Sequence, residues 1–256
     1  MDPRLIAFER LLNIMDDLRA KCPWDQKQTF ESLRHLTIEE TYELSDAILK
    51  GDKNEIKKEI GDVLLHLVFY SKLGSETNDF DITDVINSLC EKMIFRHPHI
   101  YGDVKVENSE EVIQNWEKLK QKEGNKGALS GVPNSMPSLL KALRIQEKAR
   151  AIGFDWEDPK QVWEKVQEEL AELQAEVTAK DQKKIESELG DVLFALINYA
   201  RFLNVNSEDA LEKTNKKFIS RFNYMEQKIL AQGKALADCS LAEMDVFWNE
   251  AKKMEK

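Results

Sequence analysis

Glu39-Glu40-x-x-Glu43 followed by Glu59-x-x-Asp62 in the first half of the chain reappears as Glu168-Glu169-x-x-Glu172 followed by Glu188-x-x-Asp191 in the second. Every acid recurs at one offset of 129 positions: 39 and 168, 40 and 169, 43 and 172, 59 and 188, 62 and 191. Gly61 and Gly190 share the offset, as do Tyr70 and Tyr199. Further on, Lys92-x-x-x-Arg96 matches Lys217-x-x-x-Arg221 at offset 125, as if the first half carried four extra residues near Gly74–Asp81. A repeat of this length marks two duplicated domains, not turns of a solenoid. Spacings of three and four put these acids on shared helix faces. The chain therefore reads as all-α, a pair of duplicated helical-bundle domains.

The rest of the sequence agrees. Only 10 Gly and 6 Pro occur in 256 residues, while 33% of residues are charged, a balance that favours long solvated helices over a many-turned β fold. Phe8, Leu11, Leu12, Met15 and Leu18 form the apolar stripe of an amphipathic helix, and Leu139, Leu140, Leu143 and Ile145 begin another. Gly124, Gly127, Gly131, Pro133 and Pro137 crowd into residues 121–137, which places a linker there, between a first domain over 1–120 and a second over 138–256.

Charge and cysteine usage exclude several classes. A net charge of −10 repels nucleic-acid phosphates, and no basic block reverses it, so no nucleic-acid partner is expected. Cys22, Cys90 and Cys239 are odd in number and far apart, which fits neither a disulfide framework nor a zinc ribbon and points to a reducing compartment. The first residues lack the apolar core of a signal peptide, and the longest apolar runs fall far short of a membrane span. The expectation is a cytoplasmic protein with no membrane partner.

Four carboxylate pairs at helical spacing repel one another, and the second pair in each half runs straight into Val63-Leu64-Leu65 or Val192-Leu193-Phe194. Carboxylates beside a buried stretch need a partner. A hard divalent cation, Mg²⁺ or else Mn²⁺, suits a set of carboxylate oxygens drawn from two antiparallel helices. A di-iron bundle would want Glu-x-x-His on two helices, and none occurs. His66 has Ala195 as its counterpart and reads as a core histidine; His97 and His99 flank Pro98 and read as loop residues. Lys217 with Arg221, and Lys92 with Arg96, share helix faces at i, i+4, and a metal beside such bases is the apparatus for a polyphosphate. Neither a P-loop nor a Gly-rich dinucleotide fingerprint is present.

At this point the residues resemble a known family. Glu-Glu-x-x-Glu followed by Glu-x-x-Asp looks like the signature of the all-α nucleoside triphosphate pyrophosphohydrolases, and the duplication is similar to the MazG-type arrangement. Further stretches carry the likeness over nearly the whole chain. They are Lys21-Cys-Pro-Trp-Asp25, Gln28-Thr29, Ser32-Leu33, Arg96-His-Pro-His99 and Tyr101-Gly-Asp103 in the first half. In the second they are Gly153-Phe-Asp-Trp156, Glu188-Leu-Gly-Asp191 and Asn215-Lys-Lys217-Phe-x-x-Arg221-Phe222.

The resemblance implies Mg²⁺-dependent hydrolysis of an NTP or dNTP to the monophosphate and pyrophosphate, helical domains and a homodimer. It implies that Glu169, Glu172, Glu188 and Asp191 ligate the metal and that Glu168 supports the site or orients water. Lys217 and Arg221 would hold phosphates, and Trp248 would approach the nucleotide. The matching first-half acids are Glu40, Glu43, Glu59 and Asp62. That half has Phe69 where the second has Asn198, and Cys90 where the second has Asn215. The missing polar groups make the C-terminal site the expected principal one, with Asn198 and Asn215 as substrate contacts. Two other readings stay open: a helical protein that binds nucleotide without turnover, and a narrower dUTP or dCTP pyrophosphatase, against which the duplication counts.

Overall fold

The computed structural model describes residues 2–108 and 127–254 and, between them, residues 111–112, 115–116 and 119–120. Every regular element among the described residues is helical. The chain divides into two compact units, Met1–Glu107 and Asn108–Lys256. This division falls earlier than the 1–120 read from the Gly/Pro cluster. Residues 108–120 contain neither Gly nor Pro, so composition carries no boundary signal there. Of the expected linker, residues 121–126 lie outside the described residues.

In the first unit, α1 (Pro3–Lys21) starts at Asp2, whose side chain accepts from the Arg4 amide, and runs to a short 3₁₀ turn at Asp25–Lys27. Thr29 and Ser32 form a capping box that opens α2 (Phe30–Lys50). Then come α3 (Lys53–Thr77), α4 (Ile82–Arg96) and a single helical turn, α5 (Pro98–Tyr101). Helices α2 and α3 form an antiparallel hairpin, with α1 packed on α3. The core between them is Met15, Leu33, Val68, Phe69 and Leu73, with Phe8, Leu11 and Leu12 of the predicted stripe laid against it. His99 belongs to α5, not to a loop: Pro98 supplies the fixed φ and missing N–H that suit a first helical position. His97 closes α4 with its Nδ1 2.7 Å from the Met93 carbonyl oxygen.

The second unit repeats the plan. It holds α6 (Ser138–Ala151), α7 (Pro159–Ala179), α8 (Gln182–Phe202), α9 (Ser207–Ala231) and α10 (Leu241–Met254). Helices α7 and α8 form the matching hairpin; α6 packs on α8, and α9 packs on α6, α8 and α10. Val162, Val166, Val192, Ala195, Ile197, Met225 and Ile229 are buried.

Two features of the hairpins set the site. Both turn on two residues: the first is left-handed, Gly51 at φ 73° and Lys180 at φ 60°, and the second is an aspartate, Asp52 or Asp181, whose carboxylate caps the following helix. Glu43 and Glu172 each lie eight positions before the left-handed residue, and Glu59 and Glu188 each lie seven after the aspartate. Antiparallel helices leaving a tight turn therefore carry these acids at the same level. The second feature is length: α3 has 25 residues and α8 has 21, so the four extra residues form one more turn at the far end of α3. There, a side chain on Gly74 would meet the Phe80 ring and carbonyl at 2.8 Å.

Left-handed backbone costs an L-residue about 1 kcal/mol or more that glycine does not incur. Lys180→Gly is therefore expected to stabilise the protein by about 0.5–1 kcal/mol after glycine's unfolded-state entropy is counted. A rise in the urea midpoint at constant slope is the expected result.

Candidate active site

Each hairpin gathers three carboxylates. Oxygens of Glu40, Glu43 and Glu59 lie within 4.8 Å of one another in the first unit, and those of Glu169, Glu172 and Glu188 do so in the second. Asp62 and Asp191 are not members of these triplets. They stand one turn further along α3 and α8 and are felt through space: Asp62 acts on Glu40, and Asp191 on Glu188. Both glutamates are held above the usual carboxylate range, first by desolvation and then by repulsion from neighbouring acids. In each unit the most buried acid is a different member of the set, Glu59 in the first and Glu169 in the second.

A lysine sits on that buried acid in both units. Lys58 Nζ is 2.9 Å from Glu59 Oε1, while Lys165 Nζ is 2.7 Å from Glu169 Oε1 and 2.9 Å from Glu168 Oε1. The two carboxylates push the Lys165 ammonium well above its ordinary pKa. Lys58 comes from α3 and Lys165 from α7, so the lysines do not follow the 129 offset that the acids keep. They were not among the residues singled out from sequence, although Lys165 at i−3 and i−4 from Glu168 and Glu169 is a legible signal.

A lysine alone does not satisfy the first unit's site. Glu59 Oε2 is buried without a hydrogen-bond partner, an arrangement costly for a carboxylate. Three carboxylates with oxygens this close, one of them orphaned, form an all-oxygen donor set that fits a hard divalent cation such as Mg²⁺. His66 is no part of this set. It is buried, its Nδ1 lies 2.7 Å from the Thr37 hydroxyl, and that hydroxyl also meets the Tyr70 hydroxyl at 2.6 Å.

The other residues singled out from sequence occupy α8, α9 and α10. Asn198 Oδ1 accepts from Arg201 Nε at 3.0 Å and Nη2 at 2.7 Å, and Arg201 is paired with Asp155. Trp248 packs against Phe218 at 5.0 Å between ring centroids, and the Arg221 guanidinium stands 5.8 Å from the Trp248 ring. This brings two expected substrate residues together across α9 and α10. Lys217 is exposed one turn before Arg221, and Asn215 is exposed with its amide 3.3 Å from Glu212. In the first unit, Phe69 is 3% exposed inside the core, where its counterpart Asn198 is polar and partly accessible.

Residues 28–101 and 157–225 each match the MazG nucleotide pyrophosphohydrolase domain, and both matches contain a complete acid set. A Thermotoga maritima protein named nucleoside triphosphate pyrophosphohydrolase/pyrophosphatase MazG is 44% identical over 252 residues, 96% of each chain. A nucleoside triphosphate pyrophosphohydrolase of Escherichia coli K12 is 40% identical over 257 residues, covering 97% of this chain and 98% of its own. The crystal structure of a mazG-related protein from Thermotoga maritima is 29% identical, with a TM-score of 0.40, over 44% of this chain and 98% of that one. The chain belongs to the MazG nucleotide pyrophosphohydrolase family.

The pairing of Lys165 with Glu169 has a measurable consequence. Lys165→Met leaves a largely buried carboxylate without its cation. It is expected to lower stability by about 1 kcal/mol in chelator, after discounting for the lysine's partial exposure, and by less in excess divalent cation. Thermal unfolding in the two buffers distinguishes these cases.

Proposed function

We propose that this protein is a nucleoside triphosphate pyrophosphohydrolase that cleaves (d)NTP to (d)NMP and pyrophosphate, with the Glu169, Glu172 and Glu188 cluster as its principal active site. The observation that carries the reading is the three-carboxylate cluster, built at the same level of the same hairpin in both family matches. Divalent metal ligation falls to Glu169, Glu172, Glu188 and Asp191, and in the first unit to Glu40, Glu43, Glu59 and Asp62. Bound there, Mg²⁺ (or Mn²⁺) supplies charge neutralisation of the polyphosphate and polarisation at the α-phosphorus.

The protein's own groups do the rest. Glu168, exposed beside the cluster and paired to Lys165, orients a water and takes up its proton. The water oxygen bonds to the α-phosphorus while the bond from that phosphorus to the bridging oxygen of the β-phosphate breaks. Pyrophosphate leaves with its charge met by Lys217 and Arg221. Trp248, packed on Phe218 beside Arg221, keeps that guanidinium in place and borders the nucleotide.

We assign a homodimer to the exposed apolar stripes. Leu189, Leu193 and Leu196 follow one face of α8, and Ile60, Leu64 and Leu67 follow the same face of α3 at the 129 offset; all six are exposed. No helix among the described residues is long and apolar enough to cross a membrane. We place the enzyme in the cytoplasm, on the absence of a nucleic-acid or membrane signal and on its free cysteines.

The deciding assay quantifies pyrophosphate and phosphate separately over a panel of NTPs and dNTPs, with Mg²⁺ or chelator. Metal-dependent NMP and pyrophosphate are expected, and phosphate with NDP, or no turnover, would sink the reading. Glu172→Gln is expected to lower kcat/KM by about 10²-fold or more, and Glu43→Gln by much less.

A second expectation follows from the raised carboxyls. Because Glu40 and Glu188 are held above their unfolded values, the metal-free protein gains stability from them at low pH and loses it as pH rises through their folded values. Glu188→Gln is thus expected to raise Tm in chelator at pH 7 and to shrink the further rise on adding Mg²⁺. Metal affinity should weaken as pH falls toward the carboxyl range. A Mg²⁺ response in Glu188→Gln equal to that of the parent protein would remove Glu188 from the ligand set.

A further inference from the structure

Lys165 makes a pair of contacts that its counterpart in the first unit cannot. Its Nζ bridges two adjacent acids of α7, 2.7 Å from Glu169 Oε1 and 2.9 Å from Glu168 Oε1. The position 129 residues earlier is Leu36, an apolar side chain packed against the first unit's core, so Glu39 has no lysine one turn before it. Lys58 comes from the other arm of its hairpin and pairs with Glu59, and Ser187 stands at its counterpart position in the second unit. The bridge between two neighbouring acids therefore belongs to the second unit.

Helix stability does not explain it. A glutamate followed four residues later by a lysine is the favourable order on a helix, and Lys165 precedes its glutamates. Compensation of buried charge explains only half of it. Glu169 is 7% exposed and needs a cation, whereas the Glu168 side chain is 56% exposed and water hydrates it at little cost. An exposed ion pair of this kind adds little stability, so what the second contact supplies is geometry.

Successive helix residues point about 100° apart. Glu168 on its own would turn away from the face that carries Glu169 and Glu172. One ammonium held between the two Oε1 atoms ties the Glu168 carboxylate to the rim of the acid cluster instead. It also separates the two oxygens of that carboxylate: Oε1 is engaged by Lys165, and Oε2 is left to hold a water. A carboxylate ordered in this way before substrate arrives adds less ordering entropy to the barrier.

We propose that Lys165 is a positioning residue of the second unit, which aims Glu168 by bridging it to Glu169. Glu168 Oε2 then takes the proton of the water whose oxygen bonds to the α-phosphorus, while the bond from that phosphorus to the bridging oxygen breaks and pyrophosphate departs. This role rests on the pyrophosphohydrolase reading and deepens it: Lys165 aims the water-orienting acid, and the first unit, with Leu36, lacks that aim.

The test is a double-mutant cycle in the full-length protein: parent, Lys165→Met, Glu168→Gln and the double variant, with Lys165→Arg as the charge-conserving control. Turnover of an NTP is scored by pyrophosphate, with kcat and KM read separately, and Mn²⁺ affinity is measured by calorimetric titration without nucleotide. Glu168→Gln is expected to lower kcat about 10²-fold. Lys165→Met should lower kcat about 10-fold with KM within about 2-fold. In the Glu168→Gln background the same substitution should change kcat by less than about 2-fold, because no base is left to aim. Lys165→Arg should keep at least about half of the parent kcat, since a guanidinium also bridges two carboxylates. Mn²⁺ should bind Lys165→Met as tightly as the parent, or up to about 5-fold more tightly, because an ammonium beside the cluster has gone.

Circular dichroism checks that each variant is folded; should Lys165→Met not fold, the cycle is run with Lys165→Gln. The role is overturned by parent-like kcat in Lys165→Met or in Glu168→Gln, or by a Lys165→Met loss that persists undiminished in the Glu168→Gln background. Mn²⁺ binding that weakens in step with kcat, or a Lys165→Arg as slow as Lys165→Met, overturns it as well. The parent protein separates the two readings. Turnover to NMP and pyrophosphate by the parent, with any of those results in the variants, leaves the reaction standing and removes the role of Lys165. A parent that releases no pyrophosphate removes the reaction, and this role with it.

Discussion

Mutual repulsion among carboxylates is the constraint to which the rest of the structure responds. Three acids with oxygens within 4.8 Å cannot share a helical hairpin without compensation, and each unit shows it. A lysine is drawn onto the most buried member, and Glu40 and Glu188 hold their protons more tightly than usual. Packing supplies what the acids cost. The apolar faces of α2 and α3, closed by α1, keep the first hairpin together, and α6 and α9 cover α8 in the second. Under the proposed metal-dependent reading, a dication bound to the folded hairpin removes an unfavourable interaction as well as adding favourable ones.

Much of this was legible in the sequence because helical geometry is local. The i, i+3 and i, i+4 spacing of Glu40, Glu43, Glu169 and Glu172 already implies a shared face, and one offset for five acids implies two copies of one hairpin. The stripe from Phe8 to Met15 foretold which side of α1 is buried. The four-residue surplus was visible as a change of offset, though not that it would become an added helical turn.

What stayed hidden depends on contacts between elements distant in sequence. The Gln146 amide meets the Phe194 carbonyl across 48 positions, and Arg201 reaches Asp155 across 46, with no periodicity to announce either. The lysines escaped because only the acids keep the repeat's register. Lys58 and Lys165 reach different members of the acid set, Glu59 and Glu169, from opposite arms of their hairpins, so comparing the halves cancels them out. The lengths 1–120 and 121–137 came from Gly and Pro, and a boundary at Glu107 carries neither residue.

The two-residue turns have a consequence for how such a chain can change. Because the acids are counted from Gly51-Asp52 and Lys180-Asp181, each turn serves as the datum from which the hairpin is measured, and the opposite ends are free to vary. The extra turn at the end of α3 is length added where no acid is displaced. An insertion of one residue at the turn would rotate one arm by about 100° and scatter the carboxylates. The hairpin is therefore a ruler fixed at one end, tolerant of growth at its tip and intolerant at its hinge.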